Sequence, residues 1–158
     1  GSIAYCLRNC GVHIELPGKK DIRVKAFQKP KAIEVIRTSP YPGFPTDMQP
    51  QLVAVLSKAS GTSVMIETVF ENRYGYVEQL MRMGADITVR ERVAVVKGVK
   101  KLTGAEVEAC DLRGGAALTI AALSAEGSSI INNIIHIDRG YESLEQSLAG
   151  LGANIRRG

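Results

Sequence analysis

Two stretches of the chain repeat each other, and this repetition limits the possible folds more than any other feature. "GTSVMI" begins at Gly61 and "GSSIIN" at Gly127, 66 residues on; "MGADITV" begins at Met83 and "LGANIRR" at Leu151, 68 residues on. Self-similarity at a fixed period marks one supersecondary block used more than once. Asp47 to Ala59 carries Met48, Leu52, Val55, Leu56 and Ala59 at helical spacing, closed by Gly61. The strand-like "SVMIETVF" (63–70) follows, then a short amphipathic helix in "NRYGYVEQLMRMG" and strands in "ADITV", "RVAVVKG" and "AEVEA". The second pass reads "DLRGGAALTIAALSAEG" as helix, "SSIINNIIHI" as strand, "DRGYESLEQSLAGLG" as amphipathic helix and "ANIRR" as strand. At the start, "CGVHI" (10–14) matches "MGADI" and "LGANI", with "KKDIRVKAF" and "KAIEVIRT" as the strands that complete its unit. The pattern predicts an α/β domain of about two and a half β-α-β-α-β-β units, the first cut short at its front.

The two helices of a unit differ in character. Helix 114–125 is apolar nearly all round and is expected to be buried. Helices 74–83 and 141–151 keep Glu78, Gln79, Arg82, Glu142, Glu145 and Gln146 to one side and are expected to coat the outside. Alternating strands and helices favour parallel crossover units. If the units are related by rotation, the positive ends of their buried helices gather at one end of the domain, where an anion would bind.

The length of 158 residues, 45% of them hydrophobic, predicts one domain with a real core. No apolar run reaches the roughly 18 residues of a membrane span, and no export signal opens the chain, so a soluble, cytoplasmic protein with no membrane partner is expected. Gly1-Ser2 resembles a tag scar, and "GSIAYCLRNCG" reads as the last turns of a helix ending at Gly11. Cys6, Cys10 and Cys110 fit no metal spacing and, being odd in number, no disulfide framework. His13 and His136 stand too far apart to suggest a metal site, so no metal or other cofactor is expected. The net charge of +4 is concentrated between Lys19 and Arg37, where Phe27 is the one aromatic. That spacing predicts a solvated basic face and no nucleic-acid partner.

Each helix start carries an acid or amide: "TD" (46–47), "ENR" (71–73), "DLR" (111–113) and "DR" (138–139). Such residues cap helices routinely. Arginine in a first turn opposes the helix dipole by about 0.3–1 kcal/mol. Arg73, Arg113 and Arg139 either pair with Glu71, Asp111 and Asp138 on the surface, or together bind phosphate or carboxylate groups. Asp47 is either a helix-favouring acid after a Thr46–Gln49 capping box or a preorganised carboxylate. Pro40, Pro42 and Pro45 stiffen its approach and Gly43 allows a turn, which suits a group that hydrogen-bonds a substrate hydroxyl or removes its proton. Cys110 reads as a small buried residue, with no base nearby to make it a nucleophile.

These residues also carry a family resemblance. "FPTDMQPQ", "ETVFENRY", "LMRMGADI", "GAEVEACDLRGGAAL" and "HIDRGYESLEQSLAGLGANI" are similar, over nearly the whole chain, to the C-terminal half of the UDP-N-acetylglucosamine 1-carboxyvinyltransferases, the enolpyruvyl transferase family of peptidoglycan synthesis. The related 3-phosphoshikimate 1-carboxyvinyltransferases share the fold but are less similar at "TDMQ" and "HIDRGYE". The resemblance implies a two-domain inside-out α/β barrel, with buried helices aimed at the interdomain cleft. It implies transfer of the enolpyruvyl group of phosphoenolpyruvate to the 3'-hydroxyl of UDP-N-acetylglucosamine, releasing phosphate through a tetrahedral intermediate without a metal. Carried across, Asp47 faces that hydroxyl as proton acceptor, Val69 contacts the nucleotide sugar and Arg139 binds phosphoenolpyruvate. Asp111 and Arg113 belong to the same cleft and Arg73 to its lining. Tyr76 stands where a histidine is common and Gly114 where an alanine is.

The resemblance further implies that residues 1–158 are a single partial domain, the C-terminal one, without the N-terminal domain that carries the reactive cysteine. Half an active site is expected to be inactive alone, and an incomplete first unit to expose apolar surface that favours self-association. The alternative is a non-catalytic anion-binding or assembly module working through the basic stretch.

Overall fold

The computed structural model describes residues 1–18, 21–26 and 29–158, so Lys19, Lys20 and Phe27 of the basic stretch lie outside the described residues. In chain order the elements are α1 (Ser2–Asn9), β1 (His13–Glu15), β2 (Arg23–Lys25), β3 (Val35–Arg37), α2 (Gln49–Leu56), β4 (Thr62–Ile66), α3 (Val77–Arg82), β5 (Asp86–Arg90) and β6 (Val93–Lys97). There follow β7 (Glu106–Glu108), α4 (Leu112–Ser124), β8 (Ile130–Asn132), α5 (Ile135–Asp138) and α6 (Leu144–Gly150).

Alternating side chains in β4 and β6 send Ser63, Met65, Ala94 and Val96 into the interior. The two strands form the centre of a four-stranded sheet in the order β3-β4-β6-β5. β3 runs parallel to β4 with Ile36 opposite Met65, and the other pairs are antiparallel. That sheet, with α2 and α3, is one whole β-α-β-α-β-β unit. β1 and β2 pair ahead of it, and β7 runs parallel to β8 after it. "KAIEVIRT" was expected to complete the first unit. Its strand instead opens the whole one, because its backbone pairs with β4.

The core centres on α2 and α4. Gln49 to Ala54 and Leu56 are buried in α2, and Gly114 to Thr119 and Ala121 in α4. Small side chains at Ala54, Ala116, Ala117 and Ala121 let the helices lie close. Lys58 Nζ donates to Ser124 O at 2.6 Å at one end of the pair, and Arg113 donates to Asp47 at 2.8 Å at the other. Each bond spans 66 residues, the repeat period itself, so the helices lie side by side, parallel and unstaggered. α3 coats the sheet as its pattern predicts, burying Val77 and Leu80.

Elsewhere the chain departs from its sequence pattern. α3 is six residues long, beginning after the buried rings of Tyr74 and Tyr76. The strand expected over 128–137 stops at Asn132, because Asn133 takes a left-handed φ of 56° and turns the backbone into α5, which carries His136. No ladder covers residues 153–157 among the described residues, since a strand needs a paired neighbour. Tyr76 and Gly114 meet: a Cβ on Gly114 would lie 3.0 Å from that of Tyr76. The two positions where the resemblance leads one to expect other residues therefore fall on one contact. Among the described residues no helix is long and apolar enough to cross a membrane.

Gly98 and Gly104 occupy matching close approaches, where a Cβ would overlap the carbonyl of Ala59 and of Ser128. Backbone cannot yield there as a side chain would. Gly98→Ala is expected to lower stability by about 1–3 kcal/mol in urea denaturation. Gly150→Ala, in α6 with open space around it, should be neutral or mildly stabilising.

Candidate functional site

The proline-rich turn is built from its own backbone. Ser39 N donates to Phe44 O at 2.9 Å and Gly43 N to Pro40 O at 2.8 Å, while the Phe44 ring is buried and anchors the turn to the core. Residues Thr46–Met48 then make a 3-10 turn that delivers Asp47 at the head of α2. The capping box does not form. The Thr46 hydroxyl donates to Glu67 Oε2 at 2.9 Å, and buried Gln49 accepts from the Tyr76 hydroxyl at 3.0 Å.

α4 supplies the second wall. Asp111 caps it, with Oδ1 accepting from the backbone N–H of Arg113 and of Gly114, both at 2.8 Å. Because the cap uses the Arg113 backbone, its guanidinium is left to reach across. It donates to Asp47 Oδ2 at 2.8 Å and to the Tyr141 hydroxyl at 3.3 Å, close to the Tyr141 ring. The third wall is the loop after β4. Arg73 donates to Asp47 Oδ1 at 3.0 Å and to Thr46 O at 3.3 Å, and its guanidinium stacks 5.2 Å from the Phe70 ring centroid.

One carboxylate therefore sits between two guanidiniums. The Arg113 hydrogen bond, more than any other influence, holds the Asp47 carboxyl below the usual range; partial burial opposes this and the charges of Arg113 and Arg73 add to it. The Asp47 bond likewise raises Arg113. Three buried polar atoms at the site have no hydrogen-bond partner among the described residues: Arg73 Nε, Gln49 Nε2 and Gln51 Oε1. Two guanidiniums converge on the Asp47 carboxylate while Asp111 is taken up by the backbone amides of α4, so the guanidinium donors can turn to a further carboxylate or phosphate, and Asp47 can accept a hydrogen bond from a hydroxyl.

The structure brings Asp47, Arg73, Asp111 and Arg113 together. Val69 stands on the rim with its side chain partly exposed, and its N–H donates to Glu67 at 2.8 Å. Arg139 does not contact Asp47. It follows α5 rather than opening a helix, is exposed, and its side chain has no hydrogen bond or ion pair among the described residues. Its neighbours nonetheless lie along the head of α4: Gly140 abuts Leu112, and Tyr141 reaches Arg113. Only Arg113 occupies a helix first turn, since Arg73 lies four residues before α3 begins. The expected surface pairs do not form either, for Glu71 binds Arg92 at 3.1 Å and Asp138 binds Arg157 at 2.7 Å.

Cys110 was expected to be buried and is exposed, while Cys6 and Cys10 are buried. Desolvation and then Asp111 push the Cys110 thiol up, which disfavours the thiolate. Among the described residues no three His, Cys, Asp or Glu side chains are placed to hold a metal. Sequence reasoning missed Glu67, Gln51 and Tyr141. For Glu67 a signal existed: it continues the inward alternation of Ser63 and Met65, a charge at a core-facing position.

The family model for EPSP synthase (3-phosphoshikimate 1-carboxyvinyltransferase) matches residues 2–148. The chain is 58% identical over 140 residues, 89% of its length, to UDP-N-acetylglucosamine 1-carboxyvinyltransferase 2 of Caldanaerobacter subterraneus subsp. tengcongensis, of which this covers 34%. It is 55% identical over 157 residues to the UDP-N-acetylglucosamine 1-carboxyvinyltransferase of Trichlorobacter lovleyi, covering 99% of the chain and 37% of that protein. The chain thus spans about a third of the length of these relatives. Among solved structures it is similar to the enolpyruvyl transferase NikO from Streptomyces tendae, with a TM-score of 0.87 and 29% identity over 98% of the chain and 36% of NikO. EPSP synthase from Acinetobacter baumannii shares the fold, at a TM-score of 0.61 and 20% identity over 89% of the chain and 36% of that protein.

The Asp47 carboxyl, followed by carbon-detected NMR, is expected to titrate below an ordinary aspartate. Arg113→Ala should raise its pKa further than Arg73→Ala. A depressed folded value means that the stabilisation is present above the unfolded pKa of about 3.9 and is lost as pH falls through the folded one. Because Asp47 is half exposed, each pair contributes under about 1 kcal/mol.

Proposed function

The chain belongs to the EPSP synthase (3-phosphoshikimate 1-carboxyvinyltransferase) family of enolpyruvyl transferases, and from that premise we propose that it is the C-terminal part of a UDP-N-acetylglucosamine 1-carboxyvinyltransferase. Its units would form part of an inside-out α/β barrel, and the whole enzyme would work in the cytoplasm, in peptidoglycan synthesis. The observation that carries this reading is the convergence of Arg73 and Arg113 on Asp47 at the heads of two parallel buried helices.

In this reading Asp47 faces the 3'-hydroxyl of UDP-N-acetylglucosamine. It takes the hydroxyl proton as the oxygen bonds to the enol carbon of phosphoenolpyruvate and the former double-bond electrons take up a proton at the methylene carbon. Phosphate later leaves the tetrahedral adduct as that carbon gives a proton back and the double bond re-forms. Arg113 and Arg73 hold an anionic group of the substrates and Arg139 binds phosphoenolpyruvate. Val69 contacts the nucleotide sugar, and Asp111 orients Arg113 by capping α4. As found, Asp47 is a weak base, because both guanidiniums donate to it. A substrate anion that draws those donors away returns basicity to Asp47, so proton acceptance follows substrate binding.

The other reading, a binding or assembly module, rests on the basic stretch, where Arg23 and Lys25 already lie 3.5 and 3.8 Å from Glu15. Stronger binding of a polyanion than of UDP-N-acetylglucosamine, with steep salt dependence, would favour it.

Phosphate release is the test. Full-length enzyme carrying Asp47→Asn is expected to lose on the order of 10²–10⁴-fold in kcat. The chain alone, given both substrates, should release none, since the groups contributed by the other domain are absent; turnover by the chain alone would overturn that part. The reading extends to self-association through the apolar surface of Tyr5 and Val35, beside a cavity of about 430 Å³ between α1 and β3. Sedimentation of the chain should show dimers at micromolar concentration.

A further inference from the structure

Glu67 takes no part in the chemistry above, yet the separate pieces of the site are tied to its carboxylate. It stands one residue beyond β4 and is 1% exposed. Its Oε1 accepts from the Thr38 hydroxyl at 2.9 Å, from Val69 N–H at 2.8 Å and from Phe70 N–H at 3.1 Å. Its Oε2 accepts from the Thr46 hydroxyl at 2.9 Å. Four donors from three segments thus meet on one buried side chain, which has no ion-pair partner among the described residues.

The direction of each bond is fixed on one side and free on the other. The two amides can only donate. Thr38 Oγ1 accepts from Thr68 N–H at 2.8 Å and gives its single proton to Glu67 Oε1, a carboxylate oxygen that can only accept. Oε1 therefore has to be an acceptor three times over. Oε2 meets only a hydroxyl, which can donate or accept. A glutamine could reproduce the arrangement, with its carbonyl in place of Oε1 and its amide donating to a reoriented Thr46. An alanine would leave four donors without their acceptor, the Thr38 hydroxyl among them fully buried and the other three partly so.

We propose that Glu67 is a positioning residue, which sets the separation of Asp47 from the loop carrying Val69, Phe70 and Arg73 by gripping Thr46 on one side and two loop amides on the other. The residue next to Thr46 is Asp47, and Arg73 spans both sides of the grip through its bonds to Thr46 O and Asp47. Loss of the grip lets the two walls drift without removing any substrate-facing side chain. The activity arm of the test rests on the enolpyruvyl transferase reading; the structural arm does not.

Full-length protein carrying Glu67→Ala, Glu67→Gln or Thr46→Val is compared with wild type by amide exchange at Val69 and Phe70, by the Asp47 carboxyl titration and by kcat and KM. Glu67→Ala is expected to lose protection at both amides and raise the Asp47 pKa. It should lower kcat on the order of 10²-fold, more than it raises KM. Glu67→Gln should keep protection and titration, with kcat within about fivefold of wild type. Thr46→Val, which removes only the Oε2 link, should raise the Asp47 pKa with both amides still protected, and decides the matter should Glu67→Ala not fold. An unchanged Asp47 titration in a folded Glu67→Ala or in Thr46→Val overturns the proposal, as does Glu67→Gln failing as completely as alanine. A wild type that releases no phosphate would sink the functional reading alone, leaving exchange and titration to judge Glu67.

Discussion

Much of this structure depends on the unstaggered, parallel packing of α2 against α4. Helices that share a direction also share an end, and their dipoles repel there. The chain accepts that cost because both helices are apolar almost all round and must be buried against something. Small residues let them approach, and the equal 66-residue spans at the two ends of the pair show that equivalent positions of the repeat touch each other. The consequence is a concentration of positive potential at one end of the core. Carboxylates answer it: Asp111 on the backbone of α4, and Asp47 in front of both helices.

In the proposed enzyme, Asp47 is where that concentration becomes chemistry. Its approach is held by a proline turn anchored through Phe44, its flank by Glu67 through Thr46, and its oxygens by two guanidiniums. A carboxylate so placed is ionised but reluctant to take a proton. The same donors that restrain it are those an incoming anion would claim in the proposed enzyme, and the ion pairs keep the charges satisfied in its absence. In stability these pairs contribute as little as an ordinary surface ion pair; what sets the site apart is that its neighbours fix where the charges stand.

The repeat, the two buried helices and the outward face of α3 were legible because each depends on periodicity within a short window. Asp47, Asp111 and Arg113 were legible for a related reason, as they stand where a helix begins and capping rules apply. Arg73 and Arg139 show the limit. Both were read as helix openers, but α3 and α6 start later than the pattern suggested, and Arg139 instead follows α5, where a strand was expected. Asn133, in the left-handed region, ends the strand before α5. The pairing of Glu71 with Arg92 and of Asp138 with Arg157 was out of reach, since their partners lie 19 to 21 residues away. Glu67 was half legible, as a charge out of place in an apolar alternation, but its four donors come from distant or unremarkable positions.

By itself the amino-acid order determined the repeating block, the burial of its apolar helices and the kind of residue found at their heads, because these follow from local spacing and from the chemistry of chain ends. Only the tertiary structure decided which charges meet. Arg113 leaves the acid two residues away for one 66 residues distant, because Asp111 is held by backbone amides and Asp47 is carried to it by the register of two packed helices.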